Sequence, residues 1–289
     1  MKYILVDDSV IGVGGTALTL EGLVEPVRSD LTQIPTNELT INDIFSNLDK
    51  TWVFGNIHSI TSHSANIILQ ALSMVRFFKI EFDYGYCLYR GRIPHQILGG
   101  SDCDCTASPK ALEYQRIYET IKHRSRGNFY MSQEQLDFHV EDLGLDKSRC
   151  WVLSSCFTTS FYPLIESLSR KKDYYAIIDG QGGWHSSAKG VAEAIHFAKE
   201  NSLPYKLLKT SSHTELMELL SECKGLIFHP IIHDTCPRIT IEARLLGLEL
   251  RINNLCQHVK ESWWDEDIAG ISKYLINRPS FLWSTINNA

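Results

Sequence analysis

The sequence predicts an α/β protein built from two Rossmann-like domains facing a cleft. Three observations carry that prediction. Short apolar runs of strand length alternate with longer runs of helical spacing. The rhythm restarts near residue 150. Polar or glycine-rich loops follow the apolar runs, as parallel strands feeding crossover helices require.

The elements follow in order. Lys2 to Asp7 is an apolar run ending in carboxylates, and Gly12, Gly14 and Gly15 follow it. Residues 16–27 read as a helix, and Trp52 to Ile57 as the next strand. His63 to Phe77 places Ala65, Ile68, Leu69, Leu72 and Val75 on one helical face. Phe78 to Phe82 reads as a strand, 83–109 as irregular, 111–123 as helical, and Asn128 to Ser132 as a strand before another helix. In the second half Cys150 to Leu153, Tyr174 to Asp179, Tyr205 to Leu208, Gly225 to Phe228 and Leu248 to Ile252 read as strands. Helices are expected at 191–199, 214–223 and 238–246, the last stopped by Gly247, a residue suited to the position after a helix end. The expected domains are 1–150 on the acceptor side and 151–265 on the nucleotide side. Residues 266–289 are expected to return to the first domain. Trp263 and Trp264, just before this tail, and Trp283 within it read as packing residues.

Composition narrows the function. A formal net charge of -6 gives no global basic field for nucleic acid. Lys122, His123, Arg124 and Arg126 form a local patch that reads as a solvated helix end. No apolar stretch approaches the roughly 18 residues of a membrane helix, and the start MKYILVDDSV lacks a signal-peptide core. A cytoplasmic location is therefore expected, with the eight cysteines reduced or metal-bound.

The most informative run is 225–258. A buried strand ends at His229-Pro230, and a polar loop carries His233, Asp234 and Thr235. Pro237 precedes a helix that bears Glu242. Alone, Asp234 could be a helix-entry cap and Glu242 a solvent-facing helix residue. Taken whole, the run resembles the retaining GT-B glycosyltransferases with an E-x(7)-E motif, Asp234, Glu242-Ala243 and Gly247 matching its pattern. The resemblance implies that Asp234 approaches the donor sugar and that Glu242 hydrogen-bonds the ribose hydroxyls, work suited to a carboxylate. Upstream, 180–190 is a glycine-rich loop ending in Lys189-Gly190 before a helix. It matches the family's Lys-Gly, whose cation contacts the donor pyrophosphate. Gly182 and Gly183 allow close approach, and the helix start adds backbone donors. The family's arginine before this lysine has no counterpart in the loop, and Arg238 is the candidate substitute. The nucleobase is expected near 209–213.

In the first domain, Gly14-Gly15 match the family's glycine pair near the donor phosphates. His58 is the expected acceptor-side polar contact, and Glu81 and Asp83 end a strand toward the same side. Cys87, His95, Cys103 and Cys105 offer four ligands for a structural zinc. The resemblance implies a nucleotide-sugar donor, UDP-sugar favoured, with no catalytic metal. The acceptor is a glycan or a hydroxymethylated base in DNA, as for phage-type enzymes. The rivals are a non-catalytic nucleotide- or sugar-binding module and a zinc-containing nucleic-acid-binding protein.

Overall fold

The structure, a computed structural model, describes residues 1–8, 14–60, 62–87, 95–96, 109–168, 172–179, 188–210 and 212–289. The chain divides into two compact units. The first is Met1–Phe157 with Asn277–Ala289, and the second is Thr158–Ile276.

Unit 1 contains β1 (Tyr3–Val6), α1 (Gly15–Val24), β2 (Leu31–Ile34), α2 (Ile41–Phe45), β3 (Thr51–Phe54) and α3 (Ser62–Met74). It continues with β4 (Arg76–Glu81), α4 (Pro109–Arg124), β5 (Asn128–Tyr130), α5 (Gln133–Leu143) and β6 (Cys150–Val152). The strands form one parallel sheet in the order β2-β1-β3-β4-β5-β6. Helices cover parallel sheets on both faces, so the strands read as apolar runs. Trp52 and Phe54 are fully buried, and Phe54 meets Phe77 edge-on at 5.7 Å. Ile68, Ala71 and Leu72 of α3 and Ile117 and Ile121 of α4 close this core. Each fully buried large apolar side chain here contributes about 1.5–3 kcal/mol. Local chemistry sets the helix ends. Ser132 caps α5 by accepting the Gln135 N–H at 3.1 Å, and Gly144, at φ 59°, ends it in the left-handed conformation that favours glycine.

Unit 2 begins with α6 (Phe161–Ser167), β7 (Tyr175–Ile178), α7 (Val191–Glu200), β8 (Tyr205–Leu208) and α8 (His213–Ser221). It ends with β9 (Gly225–Phe228), α9 (Arg238–Leu245), β10 (Glu249–Ile252) and α10 (Ile268–Ile276). Its parallel sheet runs β10-β9-β7-β8. Ala194 and Ala198, four residues apart on α7, are both buried, and their small size lets the helix lie close against Tyr175, Ile177 and Ile227. Trp263 and Trp264 are buried, Trp263 stacking on Tyr274 at 4.9 Å.

The last helix, α11 (Arg278–Asn288), packs within unit 1. Trp283 donates its indole N–H to the Leu23 carbonyl at 2.7 Å, and Tyr3 donates its hydroxyl to Asn287 at 2.8 Å. Arg278 donates to the Leu153 and Val152 carbonyls at the end of β6. No helix among the described residues is long and apolar enough to cross a membrane.

Two readings of unit 1 change. Lys122 is not part of a solvated basic patch, because its side chain is fully buried while His123, Arg124 and Arg126 are exposed. Glu81 does not face an acceptor: it lies inside, 2.7 Å from Lys122 Nζ and 3.4 Å from Lys79 Nζ. Its other oxygen accepts the Gly85 N–H at 2.7 Å. Lys79 in turn donates to the Gly55 and Ile80 carbonyls. A buried charge must be paired, and this cluster pairs its charges internally.

Candidate functional site

The order of unit 2 creates a switch point. From β7 the chain passes to β8 on one side and then to β9 on the other. Loops after β7 and β9 therefore leave the shared carboxyl edge in opposite directions, where such sheets bind ligands. The pairing of β7 with β9 covers Tyr175↔Gly225 and Ala176↔Leu226 only. The carboxyl-terminal halves of the two strands are thus outside this pairing.

Lys189 comes from the first loop and Asp234 from the second. Their side chains form an ion pair, Nζ to Oδ2, at 2.5 Å. The lysine is 49% exposed and the carboxylate 12%, so the cation stands at the rim with water on one side. Backbone geometry fixes both groups. Gly190 caps α7 at φ 67°, and an added Cβ there would lie 1.6 Å from the His229 carbonyl oxygen. Only glycine permits that approach, which brings the turn bearing Lys189 against the start of the β9 loop. Asp234 is held from the other side: its N–H donates to Leu255 O and its own carbonyl accepts from Gln257 N, both at 2.9 Å. Burial pushes the adjacent Cys256 thiol well above the usual range, and the Asp234 charge adds to this. That thiol is therefore not a nucleophile at neutral pH.

Glu242 lies on the second turn of α9, nearly fully buried. Arg238 Nε donates to its Oε1 at 2.7 Å across one helical turn. His213 Nε2, from the start of α8, lies 2.8 Å from the same oxygen. Arg238 stands over the Phe161 ring at 5.6 Å. Its guanidinium is engaged with Glu242 and this ring, in a buried position. Thr235 is buried beside Asp234. Sequence reasoning placed 209–213 near a nucleobase and did not pair His213 with Glu242. That contact depends on α8 and α9 lying side by side, which no local pattern reports.

The remaining expected site residues belong to unit 1 or lie outside the described residues. Gly182 and Gly183 lie outside the described residues, as do Cys103 and Cys105. Gly14 and Gly15 start α1 in unit 1, Gly14 at φ 147°. His58 is half-buried in the turn after β3, also in unit 1. Cys87 Sγ lies 3.4 Å from His95 Nδ1, both buried. Among the described residues, no group of three or more His, Cys, Asp or Glu side chains could hold a metal ion.

No family model matches the chain, and none of the curated proteins does. Solved structures share its fold. HepE of Anabaena, in complex with UDP and glucose, superposes with a TM-score of 0.60 at 10% identity, covering 100% of both chains. An alpha-glucosyltransferase in complex with UDP-glucose and DNA containing an abasic site gives 0.56 at 11% identity, over 99% of this chain and 89% of that one. HepE with UDP-glucose gives 0.57 at 9% identity, over 100% and 98%. The chain thus has the two Rossmann-like domains of GT-B glycosyltransferases.

Proposed function

We propose that this protein is a glycosyltransferase that takes a sugar from a nucleoside-diphosphate sugar bound in unit 2, with UDP the favoured nucleotide. One observation carries the reading. Lys189, Asp234 and Glu242 come from separate elements of unit 2, and two of them meet at 2.5 Å beside the switch point, while Glu242 lies on α9, the helix that follows the Asp234 loop. The solved structures of like fold with bound UDP or UDP-glucose support the same choice of ligand.

The chemistry follows from the leaving group. Breaking the sugar–phosphate bond builds negative charge on a departing diphosphate, and a fixed cation at that place lowers the barrier. Lys189 supplies the cation. Gly182 and Gly183 supply backbone near the phosphates, with Gly14 and Gly15 of unit 1 in the same role. Glu242 takes the ribose hydroxyls. Asp234 holds Lys189 until the diphosphate arrives and then faces the sugar, which is transferred with retention and without a donor-site metal. Thr235 and Arg238 complete the donor site through the β9 loop and Glu242. His58 is the acceptor-side contact. The acceptor is a glycan or a hydroxymethylated base in DNA, the latter fitting a phage-type enzyme. The free thiols at Cys150, Cys223 and Cys256 fit a cytoplasmic setting. A structural zinc at Cys87, His95, Cys103 and Cys105 belongs to this reading. The 3.4 Å Cys87–His95 contact is near the roughly 3.6 Å that two ligands of one tetrahedral zinc would show. Elemental analysis of the purified protein tests it.

Incubation with a panel of nucleotide sugars, read as released nucleoside diphosphate, tests the main reading. Turnover of one donor that is lost in Lys189→Ala and Glu242→Ala supports it. Binding without turnover makes the protein a nucleotide- or sugar-binding module. Salt-sensitive DNA affinity with stoichiometric zinc and no donor preference makes it a nucleic-acid-binding protein.

A further inference from the structure

We infer that His213 and Arg238 are positioning residues that fix the Glu242 carboxylate with one oxygen occupied and the other presented to a nucleotide, and so set a preference for ribo- over 2′-deoxyribonucleotides. The inference rests on the donor-site reading and extends it to residues that need not touch the donor.

A carboxylate oxygen has two lone pairs. Oε1 of Glu242 receives Arg238 Nε at 2.7 Å and His213 Nε2 at 2.8 Å. Facing an ionised carboxylate, His213 carries its hydrogen on Nε2. Oε1 is then saturated. Neither donor uses Oε2, whose two lone pairs match the two adjacent hydroxyls of a ribose. Removing one hydroxyl leaves one of those lone pairs unmet in a nearly dry place, and a site built for a hydroxyl rejects the analogue that lacks it.

The two donors are themselves held. Ser212 caps α8 through the Glu215 N–H at 3.3 Å, which sets His213 as the first helical residue. The His213 ring stacks on Phe161 at 6.2 Å and 30°, and Arg238 stands over the same ring at 5.6 Å. One aromatic side chain therefore braces both donors from α6. Without His213 the carboxylate gains a free lone pair on Oε1 and a second way to turn, and the count of acceptors facing the ligand is no longer fixed.

The test compares the affinity of UDP, ADP and GDP with that of their 2′-deoxy forms by calorimetry, in the wild type and in His213→Ala, His213→Gln, Arg238→Lys and Phe161→Leu. The preferred wild-type nucleotide binds about 10- to 100-fold tighter than its deoxy form. His213→Ala and Arg238→Lys cut that ratio to a few-fold, and His213→Gln, which keeps a donor, restores most of it. Phe161→Leu lies between. If every variant weakens both nucleotides by one common factor, or the wild type shows no preference, the inference is wrong while the donor site stands. If no nucleotide binds the wild type, or Glu242→Gln binds like the wild type, the donor-site reading fails and takes the inference with it. A His213→Ala chain that does not fold leaves the ratio to Arg238→Lys and Phe161→Leu.

Discussion

Each unit sets a lysine against a carboxylate near the carboxyl ends of its parallel strands, and the two pairs have opposite access to water. Glu81 and Lys122 of unit 1 are sealed at 2.7 Å, with Lys79 3.4 Å away. Asp234 and Lys189 of unit 2 meet at 2.5 Å with the lysine half exposed. A sealed pair holds structure and offers nothing to a ligand, because its desolvation is already spent on folding. A pair at the rim contributes little to stability and can exchange its partner for an incoming anion. The same two residue types thus serve opposite ends, and burial decides which.

The comparison breaks first at Glu81. Glu81→Gln leaves Lys79 and Lys122 buried without their counter-charge, and removal of one partner from a buried pair costs about 3–5 kcal/mol. Urea unfolding should show a loss of that order or an insoluble chain. A loss under about 1 kcal/mol would place the cluster in contact with water. Lys189→Ala is the converse. Stability should stay within about 1 kcal/mol of the wild type, while turnover of the donor falls by about 10²–10³. Both measurements on both variants separate a structural pair from a functional one.

How far the sequence carried these conclusions depends on where each signal resides. The inner strands β1, β3, β4, β7 and β9 read as apolar runs because parallel strands are buried on both faces, whereas the partly exposed edge strands β8 and β10 read as strands from their place in the strand-helix rhythm. β2 does not read as an apolar run, since Leu31–Ile34 is a sheet-edge strand whose middle residues Thr32 and Gln33 are polar and not buried. Gly190, Pro237 and Gly247 marked their helix ends through backbone chemistry that is local and therefore legible. Lys122 was misread because it sits in a basic helix end and its partner Glu81 lies on a distant strand. His213 and Glu242 belong to different helices, so their contact waited on the fold. Arg238 and Glu242, four apart on one helix, carry an ion-pair spacing in the sequence itself, and the structure pairs them.

Acid sharpens the comparison by titrating sealed groups. Burial holds the His139 ring down to about 3, with Lys122 adding to the effect, and burial alone holds His258 down to about 3. Both are neutral when folded. His139 Nδ1 faces the Gln135 carbonyl at 2.8 Å, and His258 Nε2 lies 3.0 Å from Thr240 Oγ1. Their folded values lie below the ordinary 6.5, so the unfolded chain binds more protons as pH falls from 6.5 toward 3, and stability falls with it. The slope is up to about 1.4 kcal/mol per pH unit for each histidine. Glu81, held well below its ordinary 4.5 by Lys122 and Lys79 against the opposing effect of burial, adds its loss only below that value. Urea midpoints taken between about pH 7 and 5 should therefore report the histidines, chiefly His139 and His258 with a smaller share from half-buried His229, which burial also lowers, and His258→Gln should remove somewhat under half of the slope. A flat profile over that interval would mean that both rings take protons in the folded chain.

The smallest effect is expected at Asp234, and its sign carries the information. In the proposed donor site the Asp234 carboxylate, before donor arrives, occupies the cation that the diphosphate would need. Asp234→Asn keeps the shape and removes the competing charge. The pair is partly exposed, so its strength is of the order of 0.2–1 kcal/mol. Nucleoside diphosphate should then bind up to about fivefold tighter in calorimetry, an advantage that shrinks with added salt as screening weakens the pair. Transfer should slow at the same time, because the group facing the sugar has lost its charge. Tighter binding with slower turnover is a combination that a merely structural Asp234 cannot produce. Weaker binding would mean instead that Asp234 attracts the donor directly, and that Lys189 needs no holder before the diphosphate arrives.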